Sequence, residues 1–455
     1  MVSFKSNAKN YRDAESMAAA YLAAYFANSK IKYPLNPFKM LKDEGVEFKI
    51  CNFNKLEGVY IPAQSQEDIS IVGISAKRPI TRQRFTAAHE LCHHFRDADK
   101  QVACPIGKKN ASEYFADAFA SALLMPMGEL KIKVNEYKDI NGNVSFDDIL
   151  KIADYFGVSF EACVRRIAYK IHAVEGDIEN KELKKRIRRY HPDKKRKEYG
   201  MSYENLYSDL IDNYAEQLKF APNDYAKNVF ENTYIYNDSR MEGLNVSIEE
   251  ASEIVTDLRN NLQNSQYCSE ENEAYLSVAG HYLMYQDIFE VPVRSSLNVY
   301  DSFKLNRDLF AYYPHPEFGG NPRQNNVVIS GAKFEAVDYH DIFNELAKVD
   351  LEIKSFFNDK DGIRPSDYIK YVVRIHHRIT VIHPFPEGNG RTARAFMNVQ
   401  LVRAGLTPIY IKVEEKQRYV EALEKADIEK NYDDLYECIF RVMLRSHVEL
   451  SKEPI

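Results

Sequence analysis

The sequence predicts a chain of two folded domains, an α+β domain followed by a mostly α domain. In residues 1–172, helical hydrophobic spacing alternates with β-prone runs such as 69–74, a mixture that is typical of an α+β fold. From residue 205 to residue 455 helical spacing dominates, and one short β-prone run, 326–330, follows a Gly-Gly turn signal. The 455 residues, 45% of them hydrophobic, provide enough apolar material for a separate core in each domain.

A strongly basic stretch separates the two patterns. Residues 181–200 carry ten Lys and Arg, three acidic residues and few apolar side chains, a composition that favours a solvated connector or an exposed helix. We therefore predict domains at 1–172 and 205–455, joined by a basic charged linker at 173–204. The alternative interpretation is that the stretch docks on an acidic partner or on nucleic acid.

The composition argues against a disordered protein and against nucleic acid as the main partner, because the net charge is −6 and the chain contains 31 Tyr and 25 Phe. The apolar run 17–27 follows Asp13 and Glu15, so it indicates an amphipathic helix rather than a signal peptide. No run reaches the ~18 apolar residues of a membrane span, and we expect no membrane partner. The six scattered cysteines form no C-x-x-C pair, which favours a reducing, cytoplasmic location.

A histidine pair with helical spacing marks the first candidate site. His89, Glu90 and His93 form an H-E-x-x-H sequence within a helical pattern that we expect to begin at the capping residue Thr81. Histidines four residues apart project from one helical face, so both imidazoles can reach one zinc ion. Glu90 can then take a proton from the water that attacks a carbonyl.

A catalytic zinc ion needs a third protein ligand, and the next helical segment, 112–125, supplies a candidate. Glu113 lies there on a face with small and apolar residues. Cys92 could compete as a soft ligand, but a buried free thiol is the more ordinary interpretation of that residue. Two helices can therefore close a site of two histidines and one glutamate.

These segments resemble the ImmA/IrrE-type zinc metallopeptidases. The resemblance lies in RQRFTAAHELCHH at 82–94, E-x-x-A-D-x-F-A-x-x-L-L-M-P at 113–126 and DDILKIADYFGVSFEACVRRI at 147–167. It covers about residues 1–172 and implies a zinc-peptidase-like domain in which His89, His93 and Glu113 bind zinc and Glu90 is the base. It also implies a regulatory peptidase that cleaves a peptide or a repressor.

The second candidate site is a glycine-containing loop, residues 383–394, which reads HPFPEGNGRTAR. It lies between two helical patterns, 366–381 and 391–403, and predicts a helix-loop-helix unit. Its prolines hold the loop out of helix, and Gly388 and Gly390 let backbone N–H groups converge at the start of the second helix. Because the helix dipole favours anions there, the loop predicts a phosphate-binding site.

Charged side chains complete this second site. Arg391 and Arg394 lie three residues apart on one helical face and can bind further phosphate oxygens. Glu387 is a hard oxygen ligand suited to magnesium on the same phosphates. His383, at the mouth of the loop, is the available proton acceptor.

The loop resembles the signature of Fic-domain proteins, and the likeness extends through IHHRITVIHPF upstream and LVRAGLTPIYIK downstream, over roughly residues 205–447. It implies a mostly α Fic domain that transfers AMP from ATP to a Ser, Thr or Tyr hydroxyl of a target protein. By matching position, His383 is the base and Glu387 holds magnesium, while the amides of Asn389 and Gly390 bind the α- and β-phosphates. The two arginines bind the outer phosphates.

The same family uses a β-hairpin flap that pairs with an extended segment of the target protein. Residues 324–334 lie in the corresponding place, so we expect a target protein to dock there by strand addition. A plain structural hairpin is the alternative.

Residues 238–243 resemble the inhibitory motif of the family, S/T-x-x-x-E-G/N, in which a glutamate pairs with the second arginine and blocks the ATP γ-phosphate. By this resemblance Glu242 would pair with Arg394. Asp238 stands where Ser or Thr is usual and would preserve a helix cap. An ordinary helix start is the alternative interpretation of this segment.

Taken together, these features predict a protein adenylyltransferase fused to a zinc-dependent regulatory peptidase, with Zn²⁺ and Mg²⁺ as cofactors and ATP as a substrate. One rival function is a hydrolase that removes AMP from protein, with Glu242 activating water. The other is a pair of regulatory binding modules with little turnover.

Overall fold

The computed structural model describes residues 2–65, 67–98, 100–105, 107, 110–175, 180–220, 223–269, 271–290, 297–329, 335–358 and 362–451. The chain forms two compact units, Met1–Tyr214 and Ala215–Ile455. A four-stranded sheet and helices form the first unit, and the second is built mainly of helices. The predicted order, α+β followed by mostly α, is confirmed.

The sheet of the first unit is mixed. Its strands are β1 (Val46–Cys51), β2 (Leu56–Ile61), β3 (Ser70–Ser75) and β4 (Val102–Pro105). They lie in the order β1-β3-β2-β4, with β1 parallel to β3 and with β2 antiparallel to both β3 and β4. Strand β3 confirms the β-prone run at 69–74, and β4 forms an edge of the sheet.

The described part of the first unit also contains eleven α-helices. They are α1 (Val2–Asn7), α2 (Ala14–Tyr25), α3 (Pro37–Asp43), α4 (Ile80–Arg96), α5 (Ala111–Leu124), α6 (Met127–Tyr137), α7 (Phe146–Phe156), α8 (Phe160–Lys170), α9 (Asn180–Tyr190), α10 (Pro192–Glu198) and α11 (Glu204–Asn213). Helix α4 packs against α5 and against strands β2 and β3. The amphipathic helix expected at 17–27 is α2.

Helix α4 begins one residue before the expected cap, so the prediction that Thr81 caps it is wrong. Pro79 occupies the capping position and makes no side-chain cap hydrogen bond. Its fixed φ of −56° holds the chain extended immediately before Ile80, so the helix can begin there without a hydroxyl cap. Helix α5, in contrast, is capped by Asn110, whose side chain accepts a hydrogen bond from the Glu113 N–H at 3.0 Å.

The basic stretch at 181–200 forms helices α9 and α10, and most of residues 181–190 are exposed, so the exposed-helix interpretation is confirmed. Arg196 is buried and forms an ion pair with Asp154 of α7 at 2.7 Å. Tyr190 donates a hydrogen bond to Asp147 of the same helix at 2.6 Å. A basic residue in this stretch therefore contributes to the packing of the first unit.

The division between the units falls after Tyr214, which differs from the boundary predicted at 204/205. Helix α11 packs on α3 and α4 within the first unit. Tyr214 stacks on Phe48 with ring centroids 5.4 Å apart, and its hydroxyl accepts a hydrogen bond from the Ile50 N–H at 3.1 Å. These contacts join residues far apart in sequence, which hydrophobic spacing alone does not reveal.

The second unit is an assembly of helices. They are α12 (Asp224–Met241), α13 (Ile248–Asn261), α14 (Glu273–Glu290), α15 (Asp301–Leu309), α16 (Ile342–Asn358), α17 (Pro365–Ile382), α18 (Asn389–Arg403), α19 (Lys416–Glu429) and α20 (Asp433–Leu450). Helices α14, α15 and α17 pack around α18. The helices predicted at 366–381 and 391–403 are confirmed as α17 and α18. None of the helices in the described residues has the length and apolar character needed to cross a membrane.

The β-prone run at 326–330 is not a strand over its described residues, 326–329. Asn326 instead fixes the local backbone with its side chain, which donates to Asp338 at 2.8 Å and accepts from the Tyr339 N–H at 2.9 Å. The predicted hairpin at 324–334 remains a prediction, because residues 330–334 lie outside the described part of the chain.

A tight contact at the end of α7 joins several parts of the first unit. Gly157 ends this helix with a φ of +62°. A Cβ atom added there would lie 2.8 Å from Leu206 Cδ2 and 3.0 Å from Arg84 Nη2. Arg84 is fully buried and donates to the carbonyl oxygens of Gly157 at 3.0 Å and Leu35 at 2.5 Å.

We expect Gly157→Ala to lower the free energy of unfolding by about 1–3 kcal/mol more than Gly200→Ala does, because it overpacks a filled site. Gly200 is a matched control, since its φ is +63° and an added Cβ atom would meet nothing within 4 Å. Urea denaturation of the full-length variants measures the difference. Equal losses of unfolding free energy in the two variants would show that backbone strain, and not overpacking, causes the destabilisation.

Candidate functional sites

The first candidate site lies where α4 faces the start of α5. His89 and His93 project from one face of α4, and their Nε2 atoms lie 3.1 Å apart. The Glu113 carboxylate is 3.3 Å from the Nε2 atom of His89 and 3.4 Å from that of His93. All three side chains are buried. The structure therefore brings together the three ligands predicted for zinc.

A fourth donor, Cys104 of strand β4, completes the cluster. Its sulfur lies 3.4 Å from His89 Nε2 and 3.7 Å from Glu113 Oε1. One donor atom from each of the four residues lies within 4.8 Å of all the others. Cys92, the soft ligand considered from the sequence, is buried and does not belong to this group.

Two carboxylates outside the cluster orient its histidines. Asp117 Oδ1 lies 3.0 Å from His89 Nδ1, and Asp97 Oδ2 lies 2.7 Å from His93 Nδ1. A carboxylate on Nδ1 leaves Nε2 of each ring directed at the cluster, which is the usual arrangement of histidine ligands in zinc sites. Two imidazoles, a carboxylate and a thiol are all donors that zinc accepts, so the residues present fit this ion.

Glu90 lies beside the cluster and is shielded from solvent. It is fully buried, and burial raises the pKa of its carboxyl group. Strand β2 approaches it closely, because a Cβ atom added to Gly58 would lie 2.2 Å from Glu90 Oε1. Both oxygens of the Glu90 carboxylate are buried without a hydrogen-bond partner among the described residues. Glycine at position 58 is thus required for the sheet to pack on α4.

The second candidate site is built around the loop between α17 and α18. His383 ends α17 in a left-handed conformation, with φ +50°. Its Nδ1 atom lies 3.4 Å from the carbonyl oxygen of Thr380, a geometry that assigns the proton to Nδ1 and leaves Nε2 as an acceptor. Burial lowers the pKa of His383, so the imidazole is neutral at ordinary pH and can act as a base.

The loop is closed by the side chain of Asn389. It accepts a hydrogen bond from the Phe385 N–H at 2.9 Å and donates to the Phe385 carbonyl oxygen at 2.8 Å. Gly388, with φ +76°, precedes α18, and a Cβ atom there would lie 2.7 Å from Phe310. The backbone N–H groups of Asn389 and Gly390 are in the first turn of α18, where the helix offers them no carbonyl partner. This turn is an anion-binding geometry.

Two more predicted residues flank the loop. Arg391 is buried, donates to Ser277 Oγ at 2.8 Å and lies over the Phe310 ring at 5.6 Å. The Glu387 side chain is exposed, while its carbonyl oxygen accepts a hydrogen bond from Asn306 at 3.0 Å. A carboxylate at the surface of the loop is placed to meet a hydrated cation.

Arg394 is bound by two carboxylates of the segment 238–243. Its Nη2 atom lies 2.5 Å from Glu242 Oε1, and its Nε atom donates to Asp238. Although burial acts to lower it, the two carboxylates hold the pKa of Arg394 above its ordinary value. A Cβ atom added to Gly390 would lie 3.0 Å from Glu242 Oε1. The Glu242 carboxylate therefore lies against the anion-binding turn of α18.

The prediction that Asp238 caps the start of a helix is wrong. The motif lies at the end of α12, with Asp238 in the last turn and Glu242 directly after it. Asp238 is buried, and its other carboxylate oxygen lies 3.2 Å from His281 Nε2. Its carboxylate is needed there as the partner of Arg394, a role that a helix-cap rule cannot reveal.

Arg323 is a residue of this site that sequence reasoning missed. Its Nε atom donates to the His383 carbonyl oxygen at 2.7 Å, and its backbone N–H donates to the Pro384 carbonyl oxygen at 2.9 Å. Its guanidinium also donates to the carbonyl oxygens of Asn325 and Val337. No local motif marks this arginine. The available signal in the sequence was its position directly before the predicted flap at 324–334.

Comparison with known protein families gives two matches. Residues 41–168 match the family model described as the IrrE N-terminal-like domain, Peptidase_M78. Residues 296–401 match the family model of the Fic/DOC family. The first match contains the histidine, cysteine and glutamate cluster, and the second contains the loop with His383 and both arginines.

Curated relatives and solved structures are also similar to parts of the chain. The protein adenylyltransferase Fic of Nematostella vectensis is 30% identical over 132 residues, which are 29% of this chain and 29% of that protein. The protein of the same name from Aedes aegypti is 41% identical over 59 residues, 13% of this chain and 12% of that protein. The chain thus matches less than a third of the length of these relatives.

Among solved structures, Fic-1 from C. elegans has a TM-score of 0.45 at 16% identity, covering 72% of this chain and 87% of that chain. A Fic domain containing signaling protein from Bacteroides thetaiotaomicron has a TM-score of 0.44 at 18% identity, covering 54% and 95%. From the two family models, we conclude that this chain contains an IrrE N-terminal-like domain and a Fic/DOC family domain.

Proposed function

We propose that the second unit is a protein adenylyltransferase, which moves AMP from ATP to the hydroxyl of a Ser, Thr or Tyr side chain on a target protein. The observation that carries this proposal is the unit formed by α17, the loop and α18, where a neutral His383 lies next to a helix N-terminus with two buried arginines. The relatives named protein adenylyltransferase Fic support it.

The geometry suggests how the reaction proceeds. The backbone N–H groups at the start of α18 bind phosphate oxygens of ATP, and Arg391 and Arg394 bind further oxygens. Glu387 would hold magnesium, which neutralises phosphate charge when it is bound. His383 takes the proton from the target hydroxyl through Nε2, the hydroxyl oxygen bonds to the α-phosphorus, and pyrophosphate leaves. Residues 324–334 are the proposed docking place of the target.

Glu242 is the proposed restraint on this reaction. Its carboxylate is bound to Arg394 and lies against Gly390, so it competes with a phosphate group for the same donors. ATP bound beside it would lack the Arg394 contact and would be poorly aligned for in-line attack on the α-phosphorus. Asp238 remains bound to the Nε side of Arg394 and keeps the guanidinium in place when Glu242 moves away.

We also propose that the first unit is a zinc-dependent regulatory peptidase. His89, His93 and Glu113 would hold zinc, and the ion would supply Lewis acidity toward a carbonyl and a water. Glu90, kept dry beside the cluster, would take the proton of the attacking water. The substrate class that we propose is a peptide segment of a regulatory protein such as a repressor.

His383→Ala should lower AMP transfer by at least about 100-fold, because it removes the base from the target hydroxyl. ATP binding should persist in this variant, whereas Arg391→Ala should weaken it by removing a phosphate contact. Transfer of label from labelled ATP and an ATP binding titration measure the two effects.

His315→Ala removes an exposed histidine of the same unit and is the control. Equal transfer by wild type and His383→Ala would remove the adenylylation proposal.

Glu242→Gly should raise target or self-adenylylation at least about tenfold, equivalent to roughly 1.4 kcal/mol of barrier, because it frees one side of Arg394. Glu249→Gly, at an exposed glutamate of α13, should leave transfer unchanged and controls for the substitution itself. Intact-mass analysis with and without MgATP measures self-modification. Unchanged transfer in Glu242→Gly would argue against the restraint, and loss of AMP removal from a modified protein would favour the rival hydrolase.

Purified protein should contain about one equivalent of zinc. Glu90→Gln should keep the metal and lose proteolysis, including any self-cleavage visible in the intact mass, because it removes the base but no ligand. Glu113→Ala should bind zinc more weakly and hold less of it than wild type, as measured by elemental mass spectrometry. Full zinc occupancy in Glu113→Ala would show that the third ligand has been assigned wrongly.

A further inference from the structure

The position of Cys104 is not explained by a peptidase site with three protein ligands. A catalytic zinc site usually keeps its fourth position open for water or substrate, whereas a structural zinc site is closed by four protein ligands. Here the fourth donor is present. Cys104 is buried, and its sulfur lies near both His89 Nε2 and the Glu113 carboxylate.

The distances in the cluster fit a tetrahedron around one ion. Zinc bonds of about 2.0–2.3 Å in tetrahedral geometry place neighbouring ligand atoms about 3.3–3.6 Å apart. In this structure the separations are 3.1 Å between the histidine nitrogens, and 3.3 Å and 3.4 Å from these nitrogens to the Glu113 carboxylate. Those from the Cys104 sulfur are 3.4 Å to His89 and 3.7 Å to Glu113. The sulfur is therefore spaced like a ligand.

The position of Glu90 indicates which coordination position the Cys104 sulfur would fill. Glu90 is the proposed base, so its carboxylate should face the position of the attacking water. In this structure both of its carboxylate oxygens are buried without a hydrogen-bond partner among the described residues, and Cys104 is among the groups near them. A Cys104 sulfur bound as fourth ligand would take the position that the peptidase reaction needs for a water molecule.

We propose that Cys104 is the fourth zinc ligand and that it closes the site, so that the peptidase is latent until this sulfur moves away. The proposal rests on zinc binding by the first unit, as proposed above. Because thiolate is a soft, strongly binding ligand, the closed form binds zinc more tightly than a site of two histidines and one glutamate. The reaction then requires a change of coordination before water can enter.

The fold permits such a change without loss of the other ligands. His89, His93 and Glu113 are on the packed helices α4 and α5, whereas Cys104 is on β4, an edge strand that pairs with β2. A shift of β4 away from α4 would withdraw the sulfur and leave the three remaining ligands in place. The opened position would face Glu90.

Cobalt substitution of the full-length protein tests the ligand directly. With Co²⁺ bound, wild type should show a near-ultraviolet thiolate-to-cobalt charge-transfer band, and Cys92→Ala should retain it as a matched control for loss of a buried thiol. Cys104→Ala should lose the band and bind zinc at least about tenfold more weakly.

Added azide should change the visible spectrum of cobalt-loaded Cys104→Ala but not that of wild type, because only the variant has an open coordination position.

The outcomes separate this inference from the zinc proposal. Wild type that binds cobalt without a thiolate band, or that binds azide as Cys104→Ala does, overturns the closed site and leaves the three-ligand site intact. Wild type that binds neither zinc nor cobalt overturns both proposals. X-ray absorption of zinc-loaded wild type needs no variant. It therefore shows whether a sulfur atom binds the zinc even if Cys104→Ala fails to fold. One sulfur neighbour at about 2.3 Å is expected, and its absence contradicts the inference.

Discussion

A charged or polar side chain on a buried helix costs stability unless it has a partner, and this constraint organises much of both candidate sites. Helices α4 and α18 are buried around most of their circumference, yet both carry many polar residues. Leaving one such charge unpaired would cost several kcal/mol. In α4 the histidines are paired by carboxylates of neighbouring segments, and in α18 Arg394 is paired by Asp238 and Glu242. The functional groups are therefore held in place by the same contacts that make their burial tolerable.

Asp238 and Glu242, the two residues whose carboxylates bind Arg394, differ in burial. The free-energy cost of separating each carboxylate from Arg394 therefore differs too. Asp238 is almost completely buried and contacts His281 as well, whereas the Glu242 side chain is one-third exposed, at 33%. Solvent can replace the contact of Glu242 more readily than that of Asp238. The arginine is thus held by one permanent partner and one exchangeable partner, and a phosphate group has the charge and the acceptors to take the place of the second.

Sequence reasoning found the parts of each site that depend on local spacing. The pair His89 and His93, and the glycines around Asn389, have fixed geometry once a helix or a turn is assigned. Cys104 and Arg323 were missed because strand pairing and loop packing, which bring them to the sites, have no short-range signature. The helix-cap interpretation of Asp238 failed for a related reason: a buried arginine 156 residues away decides its role.

Arg323 connects the loop between α17 and α18 to the chain on both sides of residues 330–334. One guanidinium holds the carbonyl oxygen of His383 together with those of Asn325 and Val337, which belong to the two described arms of the segment around 324–334. A displacement of either arm therefore changes the hydrogen bonds of the group that fixes the backbone of His383. Movement at Asn325 or Val337 is therefore transmitted through Arg323 to the backbone that positions the His383 imidazole.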